Sequence, residues 1–440
     1  MFLSGRAAQG YEALHRTYGS VVQVSPGYLS TNTTEALRDI YGVGSRSAKT
    51  FRRSDLYKGV YRNSIGTTTD PAYHAAVRKL FAPSFQPGRL KEHEAVMKAC
   101  IGKLHNLIKS KMQQNDTLVL NELFHSLSVD LVMEVLLGKS SGCLERGGCP
   151  MFWATQLPRG YYWATLRHQF QGSGVPTVMK WILRHLVRKA MGRRLDDAMT
   201  GLVYEQIRAG KDAPRGTMGA VVQTAYSSSL SESEVVHSFT AILMAGFDTV
   251  SQTLCVVIWL VFTHADTHAT LAAELQGAFK AEKDITLDIA RKLPWLNAVI
   301  TEALRVFPPI PVGPPRVSPG AYVDNIYIPA GVEISTSLYA LHRNPKYFDS
   351  PAMFKPERWI TPDSNNRREA VQPFLIGPQS CIAKHLAEQI LQLTLASFFL
   401  EFGGEYVGRA KDWIAESKSY VFWELPELRV RLRERAGVVT

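Results

Sequence analysis

The feature that most constrains this chain is a run from Ser231 to about His264 that nothing in the sequence interrupts. It covers about 30 residues, against about 11–12 for an ordinary helix. Ser231 and Glu234 stand at the spacing of a capping box, in which each side chain satisfies a backbone N–H of the other. Val235, Val236, Phe239, Ile242 and Leu243 then recur on one helical face. The spacing predicts a second helix over Leu296–Val306, stopped at Phe307-Pro308-Pro309 because proline cannot continue it. A final long helix is expected from about Cys381 to Phe399, and the periodicity from Pro71 to about Leu137 is largely helical. Residues 20–30 alternate and break at Pro26-Gly27, as a short strand or hairpin does. Alternation from Ile326 to Ile334, interrupted by Pro329-Ala330-Gly331, suggests a second hairpin. Residues 140–175 read as irregular, with Gly147, Gly148 and Pro150 as breakers. No internal repeat or low-complexity linker divides the chain. The expectation is therefore a mainly α fold with small β-sheets, one large domain over residues 1–440.

Composition narrows the function classes. With 45% hydrophobic and 20% charged residues over 440 positions, the chain reads as a globular protein, long enough to need no disulfide staples. Its five cysteines, Cys100, Cys143, Cys149, Cys255 and Cys381, are an odd and scattered set, which points to a reducing compartment. Cys143 and Cys149 flank a Gly-rich loop and could pair or bind metal, but no His or further Cys completes a site nearby. The net charge of +11 is spread along the chain, with only short clusters such as Arg188-Lys189 and Arg193-Arg194. Nucleic-acid binding needs a denser stripe or a known module. An acidic protein partner, an anionic membrane surface or a merely soluble basic surface all fit instead. No stretch approaches the roughly 20 uninterrupted apolar residues of a spanning helix, and Met1–Gly10 has no apolar core of signal-peptide length.

Chemistry concentrates around Cys381. Gly377-Pro378 forces a tight turn, after which Cys381 stands where the final helix is expected to begin. A helix N-terminus lowers a thiol's pKa and favours the thiolate, the form that ligates haem iron. Taken alone, a lone cysteine is more commonly a small buried hydrophobe. Glu302 and Arg305 lie one helical turn apart in an apolar helix that ends in prolines, where an exposed pair is less expected. Gly246 and Thr249 mark the centre of the long helix. Glycine is poor in a helix interior, and Thr249 can bond back to the carbonyl of Ala245 and open a local bend. His74 and Arg78 sit at i, i+4 on one helix.

The run Phe374, Gly377, Cys381 leading into a helix resembles the haem-binding loop of the cytochrome P450 superfamily. The companion motifs occur in that family's order: Glu302-x-x-Arg305, then Pro356-Glu357-Arg358-Trp359, with Ala245-Gly246-Phe247-Asp248-Thr249 upstream. The resemblance runs from about residue 10 to Pro426 and looks closest to fungal members of secondary metabolism. It implies the cytochrome P450 fold, with heme b (iron protoporphyrin IX) bound through Cys381 as axial metal ligand and shielded by Phe374. His74, Arg78 and Arg316 would hold the propionates, while Glu302, Arg305 and Arg358 would form a structural triad. Asp248 and Thr249 would be the catalytic pair, ordering water and relaying protons in the oxygen-binding groove. Two positions depart from the family pattern: Gln379 replaces an Arg that pairs with a propionate, and Ala383 replaces a Gly. Such family members normally begin with a membrane-anchoring helix; as written this sequence starts after it, so either its front is truncated or attachment is only peripheral. The resemblance thus implies endoplasmic-reticulum association, here peripheral or cytosolic.

The function implied is a monooxygenase that uses O2 to oxidise an apolar small molecule. Electrons would come from NADPH through cytochrome P450 reductase, since Gly42-x-Gly44 lacks the third glycine of a nucleotide fingerprint. Ile242, Ala245, Ile310, Val312 and Val421 are candidate pocket positions. Trp153, Tyr161, Tyr162, Trp163, Trp181 and Ile182 are a candidate interfacial patch, or ordinary core. Gln379 and Ala383 leave open a degenerate haem-binding relative without turnover, and an enzyme that rearranges or couples its substrate is the third reading.

Overall fold

The computed structural model describes residues 4–43, 50–57, 63–149, 193–209, 216–217, 219–221, 230–361, 367–409 and 413–435. The expected interfacial patch between Trp153 and Ile182, together with Pro150, Arg188, Lys189 and Gly44, lies outside them. The main helices are α1 (Ala7–Tyr18), α2 (Thr34–Tyr41), α3 (Pro71–Phe81), α4 (Glu94–Gln114) and α5 (Leu120–Leu137). They continue with α6 (Glu232–Thr263), α7 (Ala265–Ala278), α8 (Pro294–Val306) and α9 (Lys384–Glu401).

The long helix forms as its sequence dictates. Ser231 caps α6 by accepting the N–H of Glu234, and the Glu234 carboxylate accepts the N–H of Ser231 at 2.8 Å. Phe239, Leu243, Phe247, Leu254, Val257 and Val261 are fully buried along it. Each such side chain contributes about 1.5–3 kcal/mol, so α6 is held by α5, α8 and α9 packed around it more than by propensity. A Cβ on Gly246 would stand 3.0 Å from Val132 of α5, so this glycine sets how closely the two helices cross. By length and composition α6 could span a membrane, but 67% of its most apolar window is buried inside the protein. It is a core helix.

Two helix boundaries differ from expectation. Pro294 opens α8 at the first helical position, where its missing N–H leaves no bond unmade. The last helix starts at Lys384 rather than Cys381 and runs on to Glu401, because the chain from Gly377 to Ala383 is consumed by a turn.

The strands are β1 (Val21–Ser25), β2 (Tyr28–Thr31), β3 (Arg52–Arg53), β4 (Leu118–Val119), β5 (Arg316–Val317) and β6 (Ala321–Val323). After them come β7 (Ile326–Ile328), β8 (Glu333–Thr336), β9 (Phe402–Tyr406), β10 (Lys418–Ser419), β11 (Trp423–Glu424) and β12 (Arg429–Glu434). The hairpin about Pro26-Gly27 is present, with β1 antiparallel to β2. The hairpin expected across residues 326–334 is not. Instead β6 pairs with β7 through Asp324 and Asn325, whose φ values of +49° and +65° suit the tight turn that matches strand twist. Pro329-Ala330-Gly331 carries the chain into a different sheet, ordered β1-β2-β8-β5-β3. There β2 runs parallel to β8, with Tyr28 opposite Glu333 and Thr31 opposite Thr336. The start of the chain is fastened to its far end. Gly5 O accepts the Ser419 N–H at 2.7 Å and Ser419 Oγ accepts the Ala8 N–H at 3.0 Å. The largest hydrophobic cluster extends from Ala8 to Leu432 among the helices, and a second, with Ile40, Phe51, Val323, Ile334 and Leu338, packs beneath the larger sheet.

Candidate active site

The turn before α9 presents Cys381. Gly377 adopts φ +76°, and a Cβ there would collide with the Tyr41 carbonyl, so only glycine fits. The Ser380 N–H donates to Gly377 O at 3.1 Å and the Cys381 N–H to Phe374 O at 2.8 Å. From α3, the Arg78 guanidinium donates to the Ser380 carbonyl at 2.7 Å and to its hydroxyl at 3.3 Å. Phe374 is half-buried beside the loop, with the Lys384 ammonium 6.0 Å from its ring.

Cys381 has accessible surface, yet burial is the largest influence on its thiol. Burial pushes the thiol up; the Ala383 N–H and the Arg78 charge pull it down less strongly. This corrects the expectation of a thiol depressed by a helix N-terminus, since Cys381 precedes α9 and desolvation wins. A bound metal ion reverses that balance, because ligation itself displaces the proton.

Next to the loop lies a cleft of about 820 Å³ lined by Tyr41, Phe51, His74, Arg78, Arg316 and Gln379. Arg53, absent from the sequence-based set, joins them because β3 pairs with β5 in a register that sets Arg53 opposite Arg316. Arg53 is buried and donates to Ile65 O at 2.6 Å and Thr68 O at 3.3 Å. Arg316 is buried with its guanidinium 5.0 Å from the Tyr41 ring. Burial, then the charges of Arg53, Arg78 and Arg316, lower His74 to about 4, so it is neutral near pH 7. Asp39 also lines the cleft, but its carboxylate accepts the Asp324 N–H at 3.0 Å.

At the centre of α6 the Thr249 hydroxyl donates to Ala245 O at 2.9 Å, as its spacing predicts. The helix nonetheless continues unbroken through this point; the expected bend does not open. Ala245 is exposed and Ala241, Met244, Gly246 and Thr249 around it are half-buried, which marks an open space along this side of α6. Asp248 is buried, with Oδ1 3.4 Å from Nδ1 of His125 on α5. His125 is a second residue that sequence reasoning missed. Of the candidate pocket positions, Ile242 and Val312 are buried, Ile310 is half-buried and Val421 is exposed.

Glu302, Arg305 and Arg358 meet in the interior. Arg305 donates to both Glu302 oxygens, from Nε at 2.8 Å and Nη2 at 2.7 Å, and Arg358 Nε donates to Oε1 at 2.9 Å. Trp359 Nε1 and the Lys355 N–H complete the carboxylate's partners, each at 2.9 Å. Arg305 further donates to the carbonyls of His342, Pro351 and Met353. Glu302 and Arg305 are wholly buried, which rules out a solvated surface pair.

The sequence profile of the family described as Cytochrome P450 matches residues 3–427. The chain belongs to the cytochrome P450 family. Among curated relatives, cytochrome P450 monooxygenase BOA3 of Botryotinia fuckeliana is 30% identical over 98% of this chain and 87% of its own length. Cytochrome P450 monooxygenase astD of Aspergillus oryzae is also 30% identical, over 98% of this chain and 85% of its own. Averantin hydroxylase of Dothistroma septosporum is 28% identical over 98% and 83%. This chain is accordingly a cytochrome P450 monooxygenase with the mainly α P450 fold.

The family is a haem-thiolate one, so its cofactor is haem b, and this P450's residues fit such a group. Among the described residues no carboxylate pairs with Arg53, Arg78 or Arg316. Buried cations without a counter-charge are costly, and a ligand bearing two carboxylates supplies one. The Gln379 side-chain oxygen is buried with no partner; the amide can equally point its N–H donors inward. A thiol, unpaired cations and an orphan amide are the donor set that an anionic, iron-bearing macrocycle would need.

Proposed function

We propose that this P450 oxidises an apolar small molecule of secondary metabolism, using O2 and electrons from NADPH delivered by a separate P450 reductase. The observation that carries the reading is the cysteine loop. Its Pro378 and Gln379 border a cleft also lined by His74, Arg78 and Arg316, and Arg53 stands opposite Arg316 in the neighbouring strand pair. In this reading Cys381 would ligate the haem iron, Phe374 would shield its sulfur, and Arg53, His74, Arg78 and Arg316 with Gln379 would hold the propionates. When bound, the haem supplies the oxidising chemistry, its thiolate ligand favouring O–O cleavage. The chain's own residues orient, exclude water and move protons. Thr249 Oγ1 holds a proton-donating hydroxyl beside the open face at Ala245, and Asp248, steadied by His125, resupplies it. Glu302, Arg305 and Arg358 brace the loop and do not react. The names of fungal relatives support a secondary-metabolite substrate. The basic net charge supports docking of an acidic flavoprotein and peripheral contact with the endoplasmic-reticulum membrane.

The test begins with the reduced, carbon-monoxide-bound spectrum of haem-loaded protein. The thiolate band should appear, and Cys381→Ser should abolish it. NADPH consumption with a reductase should then follow, and Thr249→Ala should uncouple electron use from product formation. A colourless protein, or a band unchanged by Cys381→Ser, overturns the ligand assignment. Normal haem without electron uptake overturns the oxygenase reading in favour of a non-turnover relative. Metabolite comparison of a deletion strain would identify the substrate.

A further inference from the structure

Two cysteines lie together away from the haem-binding residues. Cys143 and Cys149 occupy the loop that follows α5, both buried, with their sulfurs 2.8 Å apart. The loop is clamped to α5. The buried Asp130 carboxylate accepts the N–H of Cys143 at 3.1 Å, the N–H of Leu144 at 2.8 Å and the hydroxyl of Ser141. Ser126 Oγ accepts the Cys149 N–H at 2.9 Å. Cys143 Sγ accepts the Cys149 S–H and the Arg146 guanidinium at 4.0 Å, while the Ser141 oxygen, whose hydrogen goes to Asp130, lies 3.2 Å from it. Cys100 and Cys255 are equally buried but have no such arrangement. A zinc site needs further ligands, and Asp130 already spends both oxygens on the loop.

We propose that Cys143 and Cys149 form a dithiol redox site that a peroxide oxidises to an intramolecular disulfide. A disulfide holds its sulfurs about 2.0 Å apart, so closure asks for a movement of less than about 1 Å. Cys143 is the attacking sulfur. The hydrogen bond from Cys149 lowers it to about 7 against the opposing effect of burial, while Cys149 is pushed up. The Cys143 thiolate attacks one peroxide oxygen and the O–O bond breaks. The departing oxygen takes a proton and leaves as water, and Cys143 becomes a sulfenic acid. Cys149 then attacks that sulfur, the S–O bond breaks, and hydroxide leaves as water with the Cys149 proton. Both thiols are oxidised, and hydrogen peroxide is reduced to water.

The experiment uses the full haem-loaded chain, reduced, desalted under nitrogen and treated with hydrogen peroxide at increasing ratios. Remaining thiols are alkylated and the peptides mapped by mass spectrometry. A linked Cys143–Cys149 peptide should accumulate while Cys100 and Cys255 are still alkylated, and a dithiol reductant should reverse it. Dimedone present early in the oxidation of the unsubstituted chain should label Cys143 ahead of Cys149, because Cys143 is the sulfur that receives the Cys149 hydrogen bond. A 143–149 pair that oxidises no faster than Cys100, or links only after denaturation, overturns the site. Equal or reversed dimedone labelling of the two sulfurs overturns the assignment of Cys143 as the attacking sulfur, and both readouts come from the unsubstituted chain.

Discussion

Gly377 packs against the carbonyl of Tyr41 so closely that no side chain can enter between them. The last residue of α2 therefore fixes the height of the cysteine loop, and the left-handed φ of +76° at Gly377 makes the turn that aims Cys381. Gly377→Ala adds about 1–2 kcal/mol of backbone strain and forces the two segments apart. The expected outcome is reduced haem content per chain and a lowered melting temperature. Full haem occupancy in the variant would count against this contact as the loop's support.

Glu302 balances two buried guanidinium groups at once. Glu302→Gln keeps the shape but removes the charge, leaving Arg305 and Arg358 uncompensated in the interior. Loss of one partner from a buried ion group costs about 3–5 kcal/mol. Urea unfolding should register that loss, together with poor haem retention. A change below about 1 kcal/mol, typical of a surface pair, would refute the bracing role.

A second buried cluster makes stability depend on pH. His105 Nδ1 lies 2.5 Å from Glu401 and 3.2 Å from Glu282. Lys109 pairs with Glu401, the Ser397 hydroxyl reaches Glu282 at 2.5 Å, and the Phe402 ring packs edge-on. Burial alone would lower His105, but the two carboxylates outweigh it and the net shift is upward. Glu282 resists burial in the other direction: His105 and Ser397 hold it near about 2. The sign follows from linkage. The histidine's contribution is full below its ordinary 6.5 and is lost as pH rises through its raised folded value. That of Glu282 is present above its ordinary 4.5 and lost as pH falls through about 2. The unfolding free energy of His105→Asn should therefore fall furthest below the unsubstituted protein in mildly acidic solution, with the gap closing toward alkaline pH. A gap that widens with pH would contradict the pairing.

The cleft cations predict how haem retention can be tuned. Gln379→Arg places another guanidinium beside Arg78 and Arg316, and Arg53→Ala removes one. A hydrogen bond to a charged group contributes about 1.5–3 kcal/mol, so haem loss to a scavenging protein should slow or quicken by about tenfold or more. If Arg53→Ala releases haem at the original rate, Arg53 acts only through its carbonyl contacts at Ile65 and Thr68.

The long helix and the Glu302–Arg305 pair are readable in the sequence because their signals are local: a cap, a period, one helical turn. Arg53 and His125 are not readable in that way. Arg53 reaches the cleft only through the pairing of β3 with β5, and His125 meets Asp248 only where α5 crosses α6. The misplaced hairpin has a related cause. Pro329-Ala330-Gly331 is the louder turn signal, while Asp324-Asn325 makes the actual one through left-handed backbone that short polar side chains tolerate. Arg358 was indicated by family resemblance alone, and the thiol of Cys381 was misjudged because burial is invisible one residue at a time.

The parallel pairing of Tyr28 with Glu333, and the clasp between Gly5 and Ser419, bear on biogenesis. Residues 21–31 leave the ribosome early and can close as the β1–β2 hairpin, but the other edge of β2 has no partner until β8 emerges, and translation at about 5–20 residues per second makes that a wait of many seconds. Contacts so distant in sequence close slowly. During that interval the nascent chain exposes one unpaired edge of β2, an aggregation-prone feature, and Cys381, so late in the sequence, emerges only after β8 has closed it.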